Sequence, residues 1–238
     1  MIGQNAVLAV VPARGGSKGI PLKNLREVGG RSLVARVGDV VRRVPEIDRA
    51  VVSTDHRGIA QAAETAGIAA PFLRPESLSG DSIRDFDVLL HALEATEAAD
   101  GRRYEIVVML QPTSPLRTAE QVSATIRMLA KGAWDSVWTV SETDSKVHPL
   151  KQLTVADGRL DYYEPKGGEI IARQQLQPVF HRNGIAYAMT RACLVEQRTI
   201  KGRRAGALVV LGTHVSIDTE EDFVLVEWIL ARCGKNGS

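Results

Sequence analysis

The 238-residue sequence predicts an α/β fold built on a doubly wound, mostly parallel sheet. Two patterns predict it. Short apolar runs of small and β-branched residues, such as AVLAVV at 6–11 and EIVVML at 105–110, have the continuous hydrophobicity of strands buried on both faces. They alternate with segments of helical period, and strand–helix–strand repetition with right-handed crossovers yields a parallel sheet covered by helices on both sides. A third observation locates the chemistry. The first run empties into RGGSKG, a basic, glycine-rich loop at the strand's carboxyl end, where open α/β sheets bind ligands.

Each element follows in order. After the loop, Leu33, Val34, Val37, Val40, Val41 and Val44 recur at helical spacing and Pro45 ends the run. RAVVS at 49–53 is a second buried strand. A helix from about Gly58 to Ala66 closes on Gly67 as a left-handed C-terminal residue. The run 69–73 reads as a short strand that delivers Arg74. Phe86, Leu89, Leu90 and Leu93 mark a helix over 85–98, and 105–110 is the most apolar strand, expected near the sheet centre. A helix over 119–131 leads to a strand at 135–140. From about 141 to 180 the alternation stops. A structureless loop of that length is unusual in a compact domain, so this stretch is expected to be an inserted, partly β excursion, with DGR at 157–159 turning between two strands and with dimer contacts as its use. Strand patterning resumes at 184–189 and 207–211. Thr219 and Asp222 resemble a capping box opening a last helix. The whole chain is expected to be one domain.

Composition excludes several classes. Hydrophobic residues at 44% and charged residues at 24% are ordinary for a globular domain. No apolar run reaches the roughly 20 residues that span a bilayer. The first residues lack the basic and apolar regions of a secretory signal, so a cytoplasmic protein without membrane partners is expected. Thirty basic against 28 acidic residues leave a charge of +2, which argues against general nucleic-acid binding and makes any anion site local. Cys193 and Cys233 have no metal-type spacing and are expected to be reduced structural thiols.

The loop after the first strand suits an anion. Arg14 and Lys18 supply charge, while Gly15, Gly16 and Gly19 let backbone N–H groups approach a phosphate. The spacing is neither the P-loop nor the dinucleotide fingerprint. A plain strand-to-helix turn with solvated charges is the alternative, although Pro21, Lys23 and Asn24 prolong the polar stretch beyond what such a turn needs.

PARGGSKGIPLKN, LRPESLSGD, LQPTSPLRT, RQQLQPVFHRNGIAY and SIDTEEDF, in this order, resemble the CMP-N-acylneuraminate (sialic acid) cytidylyltransferase family across roughly residues 7–225. The resemblance implies a Rossmann-like nucleotidyltransferase fold with a dimerisation excursion. It implies CMP transfer from CTP to a small acidic acceptor, pyrophosphate release and dependence on Mg²⁺. It places Arg14, Ser17 and Lys23 on the triphosphate, Lys18 as a further phosphate contact, and Asn24 against the nucleotide. Arg74, Ser82 and Gln111 match positions for the base, ribose or acceptor, with a helix N-cap as the structural alternative for Ser82. Arg173 and Asn183 match acceptor positions, and Asp218 matches a metal ligand. Arg14, Lys23 and Asp218 would carry the chemistry. No covalent intermediate is needed, because positioning and charge neutralisation suffice.

Three departures bear on the acceptor. Ser216 stands where the family has a first metal carboxylate, though Mg²⁺ accepts one or two carboxylates plus phosphates. His181 and Arg182 stand where the family often has Arg-Pro. RTIKGRRAG at 198–206 replaces an aromatic wall with Lys201, Arg203 and Arg204. These changes set a small phosphonate, whose ionised oxygen needs no general base, beside a nonulosonic acid as acceptor. Solvated surface is the plain reading of the basic loop. A catalytically inactive nucleotide-binding regulator and an enzyme using UTP or GTP are further alternatives. Of the histidines, His148 and His181 are placed near the acceptor. His91 is read as packing, and His56 and His214 as surface. Lys151 is an acceptor-side candidate acting across a dimer interface.

Overall fold

A computed structural model describes residues 2–235. Its elements are β1 (Val7–Pro12), β2 (Glu27–Val28), β3 (Arg31–Ser32), α1 (Leu33–Val41), β4 (Arg49–Ser53), α2 (Arg57–Thr65), α3 (Asp85–Asp100), β5 (Ile106–Met109), α4 (Ala119–Ala130), β6 (Ser136–Glu142), β7 (Leu153–Ala156), β8 (Arg159–Tyr162), β9 (Phe180–Thr190), α5 (Arg191–Val195), β10 (Ala205–Val209) and α6 (Glu220–Lys235). Six strands form one sheet in the order β10-β6-β9-β5-β1-β4. The β1–β4, β1–β5 and β6–β10 pairs are parallel, and β9 runs antiparallel between β5 and β6.

Alternation along β1 divides the interior into two layers. Val7, Ala9 and Val11 face one side and pack with Val34, Val37, Ile59, Val122 and Ile126 of α1, α2 and α4. Leu8 and Val10 face the other and pack with Phe86, Leu89 and Leu93 of α3 and with Cys193 and Leu194 of α5. The result is the expected α/β doubly wound, mostly parallel sheet covered on both faces. A third cluster joins Ile20 of the basic loop, Val28 and Leu33 to Ile217 and to Phe223 and Val226 of α6. It brings the end of the chain against the loop after β1. Truncating Ile217 to Ala would cost about 2–5 kcal/mol and loosen that junction.

Two expectations change. Residues 69–73 are not a strand. Ala69 makes a single parallel bridge to Val51, and Pro71, which has no N–H, ends the ladder. The segment still delivers Arg74, whose N–H donates to the Thr54 carbonyl at 2.8 Å. The strand expected at 184–189 is longer, and it runs antiparallel to both neighbours because the excursion leaves and re-enters at the same end of the sheet. Other local readings match. Gly67 is left-handed (φ 83°) after α2. Asp157 and Gly158 both have positive φ, 50° and 75°, as a two-residue type I′ turn between β7 and β8 requires. Thr219 and Asp222 bond reciprocally, with the Thr219 N–H donating to Asp222 Oδ2 at 2.8 Å and the Asp222 N–H to Thr219 Oγ1 at 3.3 Å. Cys193 is a buried free thiol, and the Cys233 side chain lies outside the described residues. Among the described residues no helix is long and apolar enough to cross a membrane.

Candidate active site

The loop after β1 is held from three sides. The Ala13 N–H donates to the Ser53 carbonyl at 2.9 Å, the Gly15 N–H to Asp55 Oδ1 at 2.8 Å, and buried Asn24 Nδ2 to the Arg14 carbonyl at 3.0 Å. Gly15 is small for a packing reason: a Cβ there would come within 2.9 Å of the His56 Cβ. Fixed in this way, the loop forms one wall of a cavity of about 550 Å³ at the carboxyl ends of β1 and β5. Arg14, Ser17, Lys18, Lys23 and Asn24 line this wall. The 74–88 segment adds Arg74, Gly80, Asp81, Ile83, Asp85 and Val88. Gln111, Pro112 and Thr113 follow β5, and Ser216 and Asp218 come from the segment before α6.

Three cations in the cavity, Arg14, Lys18 and Lys23, are paired with carboxylates. Asp81 accepts from Arg14 Nη1 at 2.6 Å and from Lys18 Nζ at 2.6 Å, and these two contacts hold its carboxyl below the ordinary value. Lys23 Nζ donates to Asp218 Oδ1 at 3.0 Å and to the Ile217 carbonyl at 2.7 Å. The Asp218 side chain is 73% exposed, while its backbone N–H is tied to Asp222 Oδ2 at 2.8 Å. Asp85 is different. Burial pushes its carboxyl up, against the pull of Arg182 and Arg74. Arg74 is itself lowered by burial, with Nε on Ser53 Oγ at 3.1 Å and Nη2 on the Ser53 carbonyl.

Beneath the cavity floor lies a buried guanidinium. Arg117 donates to the carbonyls of Ile185 at 2.5 Å, Gln111 at 2.6 Å and Gly184 at 2.8 Å. Burial lowers it to about 9, so it keeps its charge at neutral pH. It ties the loop after β5 to β9, at the point where Gly184 (φ 71°) packs so closely that a Cβ would sit 2.6 Å from Gln111 Oε1.

The structure therefore brings together Arg14, Ser17, Lys18, Lys23, Asn24, Arg74, Gln111 and Asp218. Gly15 and Gly16 belong to the same loop but do not line the cavity. Ser82 is exposed between the lining residues Asp81 and Ile83, and Arg84, not Ser82, occupies the N-cap position of α3. The other expected acceptor residues, Lys151, Arg173, His181 and Asn183, do not line this cavity. Lys151 borders a cavity under the β7–β8 hairpin with Leu153, Leu160 and Tyr162. Arg173 lines another with Glu142, Asp144 and His148. His181 Nδ1 meets Thr143 Oγ1 at 3.0 Å. Asn183 is buried with its amide spent, its Oδ1 accepting from Thr139 Oγ1 at 2.7 Å and its Nδ2 donating to Ser141 Oγ at 3.1 Å.

His148 is buried and bonded to Gln177 and Leu150, His56 caps α2, and His91 packs edge-on against Phe72. The basic stretch divides. Lys201, Arg203 and Arg204 lead into β10 at the amino end of the sheet, where Asp135 accepts from both arginine N–H groups, at 3.1 and 2.9 Å. Arg198 alone reaches α3, over the Phe86 ring at 5.4 Å.

Sequence reasoning missed Asp81, Asp85 and Arg117, and named Arg182 only as a departure bearing on the acceptor. Strand alternation puts Arg182 opposite to its neighbour His181, 5.9 Å over the Trp138 ring, on the α3 face where Asp85 stands.

The donors suit a divalent cation only in part. Among the described residues no three His, Cys, Asp or Glu side chains group into a metal site. Asp218 and the Ser216 hydroxyl offer hard oxygen ligands beside the cavity, which fits an ion completed by phosphate oxygens.

The cytidylyltransferase family profile matches residues 8–230. A CMP-N,N'-diacetyllegionaminic acid synthase of Legionella pneumophila is 28% identical over 229 residues, covering 94% of this chain and 96% of its own. An N-acylneuraminate cytidylyltransferase of Streptococcus agalactiae is 27% identical over 222 residues and 92% of this chain; the chain spans about half of that relative's length, 52%. Among solved structures, a CMP:2-keto-3-deoxy-manno-octonic acid synthetase complexed with CTP superposes with a TM-score of 0.69 at 17% identity, over 95% of this chain and 99% of its own, which speaks for the fold alone.

Proposed function

The chain belongs to the cytidylyltransferase family, together with N-acylneuraminate enzymes, and from that premise we propose that it transfers CMP from CTP to a nonulosonic acid with release of pyrophosphate. The observation that supports this most is the polar cavity at the carboxyl ends of β1 and β5, lined by Arg14, Lys18 and Lys23.

In this reading Arg14, Ser17, Lys18 and Lys23 hold the triphosphate, and Asn24 keeps the loop in shape. Gln111 and Arg74 border the nucleotide and acceptor side. An acceptor hydroxyl attacks the α-phosphorus in line; the new oxygen–phosphorus bond forms as the bond to the β-phosphate oxygen breaks, and the hydroxyl proton passes to solvent. Lys23 neutralises charge that builds on the departing pyrophosphate. Asp218 would hold Mg²⁺ together with phosphate oxygens, and the bound ion would further neutralise the triphosphate.

The excursion from about 141 to 180 is proposed as the dimerisation element of a single-domain protein. Leu153, Val155, Leu160, Tyr162 and Tyr163 are all exposed on it, and a second copy covering them would also carry Lys151 and Arg173 toward the acceptor. A cytoplasmic protein is part of the same proposal, supported by the use of CTP.

A phosphonate acceptor is the second reading. Its support from Lys201, Arg203 and Arg204 falls away, since these lie at the far end of the sheet. Ser216, which leaves one carboxylate fewer beside the cavity, still favours it. Incubation of the protein with Mg²⁺, CTP and either an N-acylneuraminate or a small phosphonate, followed by mass analysis of the CMP ester, decides between them. Ester with the nonulosonic acid is expected. Binding of CTP without ester or pyrophosphate from either acceptor would point to a nucleotide-binding regulator.

A further inference from the structure

The strap between Arg74 and α3 places a carboxylate on the phosphate-binding loop. Asp81 Oδ1 lies 2.6 Å from Arg14 Nη1 and Oδ2 lies 2.6 Å from Lys18 Nζ, so one carboxylate bridges the two cations as a phosphate group would. The third lysine or arginine assigned to the triphosphate, Lys23, is held by Asp218. No cation of the cradle therefore waits unpaired. The strap itself is lightly anchored: among the described residues the backbone of Gly80 to Ile83 has no backbone hydrogen-bond partner, and a Cβ on Gly80 would meet only Ile83, at 3.8 Å.

We propose that Asp81 is a built-in competitor of the triphosphate, a specificity-determining carboxylate that a nucleotide must displace from Arg14 and Lys18, so that only a highly charged polyphosphate occupies the cradle. The inference rests on the assignment of this cavity to CTP. Its logic is that of a population shift: the competent, unlatched state is a minor fraction of the free protein, and the observed dissociation constant is the intrinsic one divided by that fraction. A ligand with several phosphate oxygens replaces both contacts of Asp81 and adds Lys23. A single phosphate replaces the contacts of Asp81 with little gain, so a nucleoside monophosphate is disfavoured and pyrophosphate is released against a returning carboxylate. Two partly exposed ion pairs set the size of the effect at about tenfold in affinity.

The test is calorimetric titration of the wild type and of Asp81→Asn with CTP, with CMP and with inorganic pyrophosphate, at low and at moderate salt. Asp87→Asn, in which a carboxylate paired with Arg84 outside the cavity is lost, controls for net charge. Asp81→Asn is expected to bind CTP and pyrophosphate about tenfold more tightly, to bind CMP measurably, and to lose more affinity with salt than the wild type. A gain of affinity cannot arise from misfolding. Equal or weaker CTP binding by Asp81→Asn, while the wild type binds, would overturn the competitor role and indicate that Asp81 holds nucleotide or metal instead. A folded wild type that binds no CTP would overturn the cradle assignment, and this inference with it.

Discussion

Replacing Arg117 with Met tests the link between the cavity floor and β9. The side chain is wholly buried and holds three carbonyls, those of Gln111, Gly184 and Ile185. Methionine fills most of the volume and donates nothing. Each buried acceptor left unpaired costs about 1–3 kcal/mol. Removing an unpaired buried cation returns several kcal/mol of desolvation, so the net loss is about 2–4 kcal/mol. For a chain of this size that lowers Tm by about 5–15 °C. Gln111 and Gly184 would also lose their fixed spacing, and small displacements of positioning groups cost up to about 10²-fold in rate. Thermal unfolding by circular dichroism reads the first effect and kcat/KM for CTP the second. Arg117→Lys should recover little of either, because an ammonium cannot serve three carbonyls in the guanidinium plane. A Tm within about 1 °C of the wild type, with unchanged kcat/KM, would refute the view that Arg117 organises the floor.

Two other outcomes follow from the same contacts. Lys23→Met should lower kcat by about 10²–10³-fold through lost stabilisation of the leaving pyrophosphate, while Tm falls by only a few degrees, because Asp218 is exposed and the one carbonyl released, that of Ile217, is part-buried; steady-state kinetics beside thermal unfolding separates the two. Acid stability should depend on Asp135, whose carboxyl is pulled down from 3.8 to about 2, chiefly by the Arg204 backbone N–H and, against desolvation, by the Arg204 side chain. A depressed carboxyl stabilises the fold fully above its ordinary value and less as pH falls from 3.8 to about 2. Urea midpoints across that window should fall steeply in the wild type and less steeply in Asp135→Asn, and parallel curves would contradict the assignment.

Much of the fold was legible because burial writes itself into periodicity. The runs at 6–11, 49–53 and 105–110 are strands since no polar side chain interrupts them, and the Asp157-Gly158 turn is a local matter of positive φ. What failed was non-local. Residues 69–73 have strand-like composition, but Pro71 cannot continue a ladder. The antiparallel course of β9, on which the strand pattern at 184–189 is silent, depends on where the excursion returns.

The site divides in the same way. Arg14, Lys23 and Asn24 were legible because they follow a buried strand within one loop. Asp81 meets Arg14 and Lys18 only through the fold, and a single Asp after Gly80 reads as ordinary loop. Lys201, Arg203 and Arg204 looked like an anion wall by composition, yet the chain enters β10 from the amino end and carries them away from the cavity. Composition alone cannot tell which end of a strand a loop serves.

A crystal structure of the protein grown with Mg²⁺ and a non-hydrolysable CTP analogue tests the central claim most directly. The triphosphate should lie on Arg14, Ser17 and Lys23, with the base toward Gln111 and Arg74 and with Asp81 turned away from Lys18. A nucleotide bound outside the cavity between β1 and β5, with Asp81 still bridging Arg14 and Lys18, would contradict it.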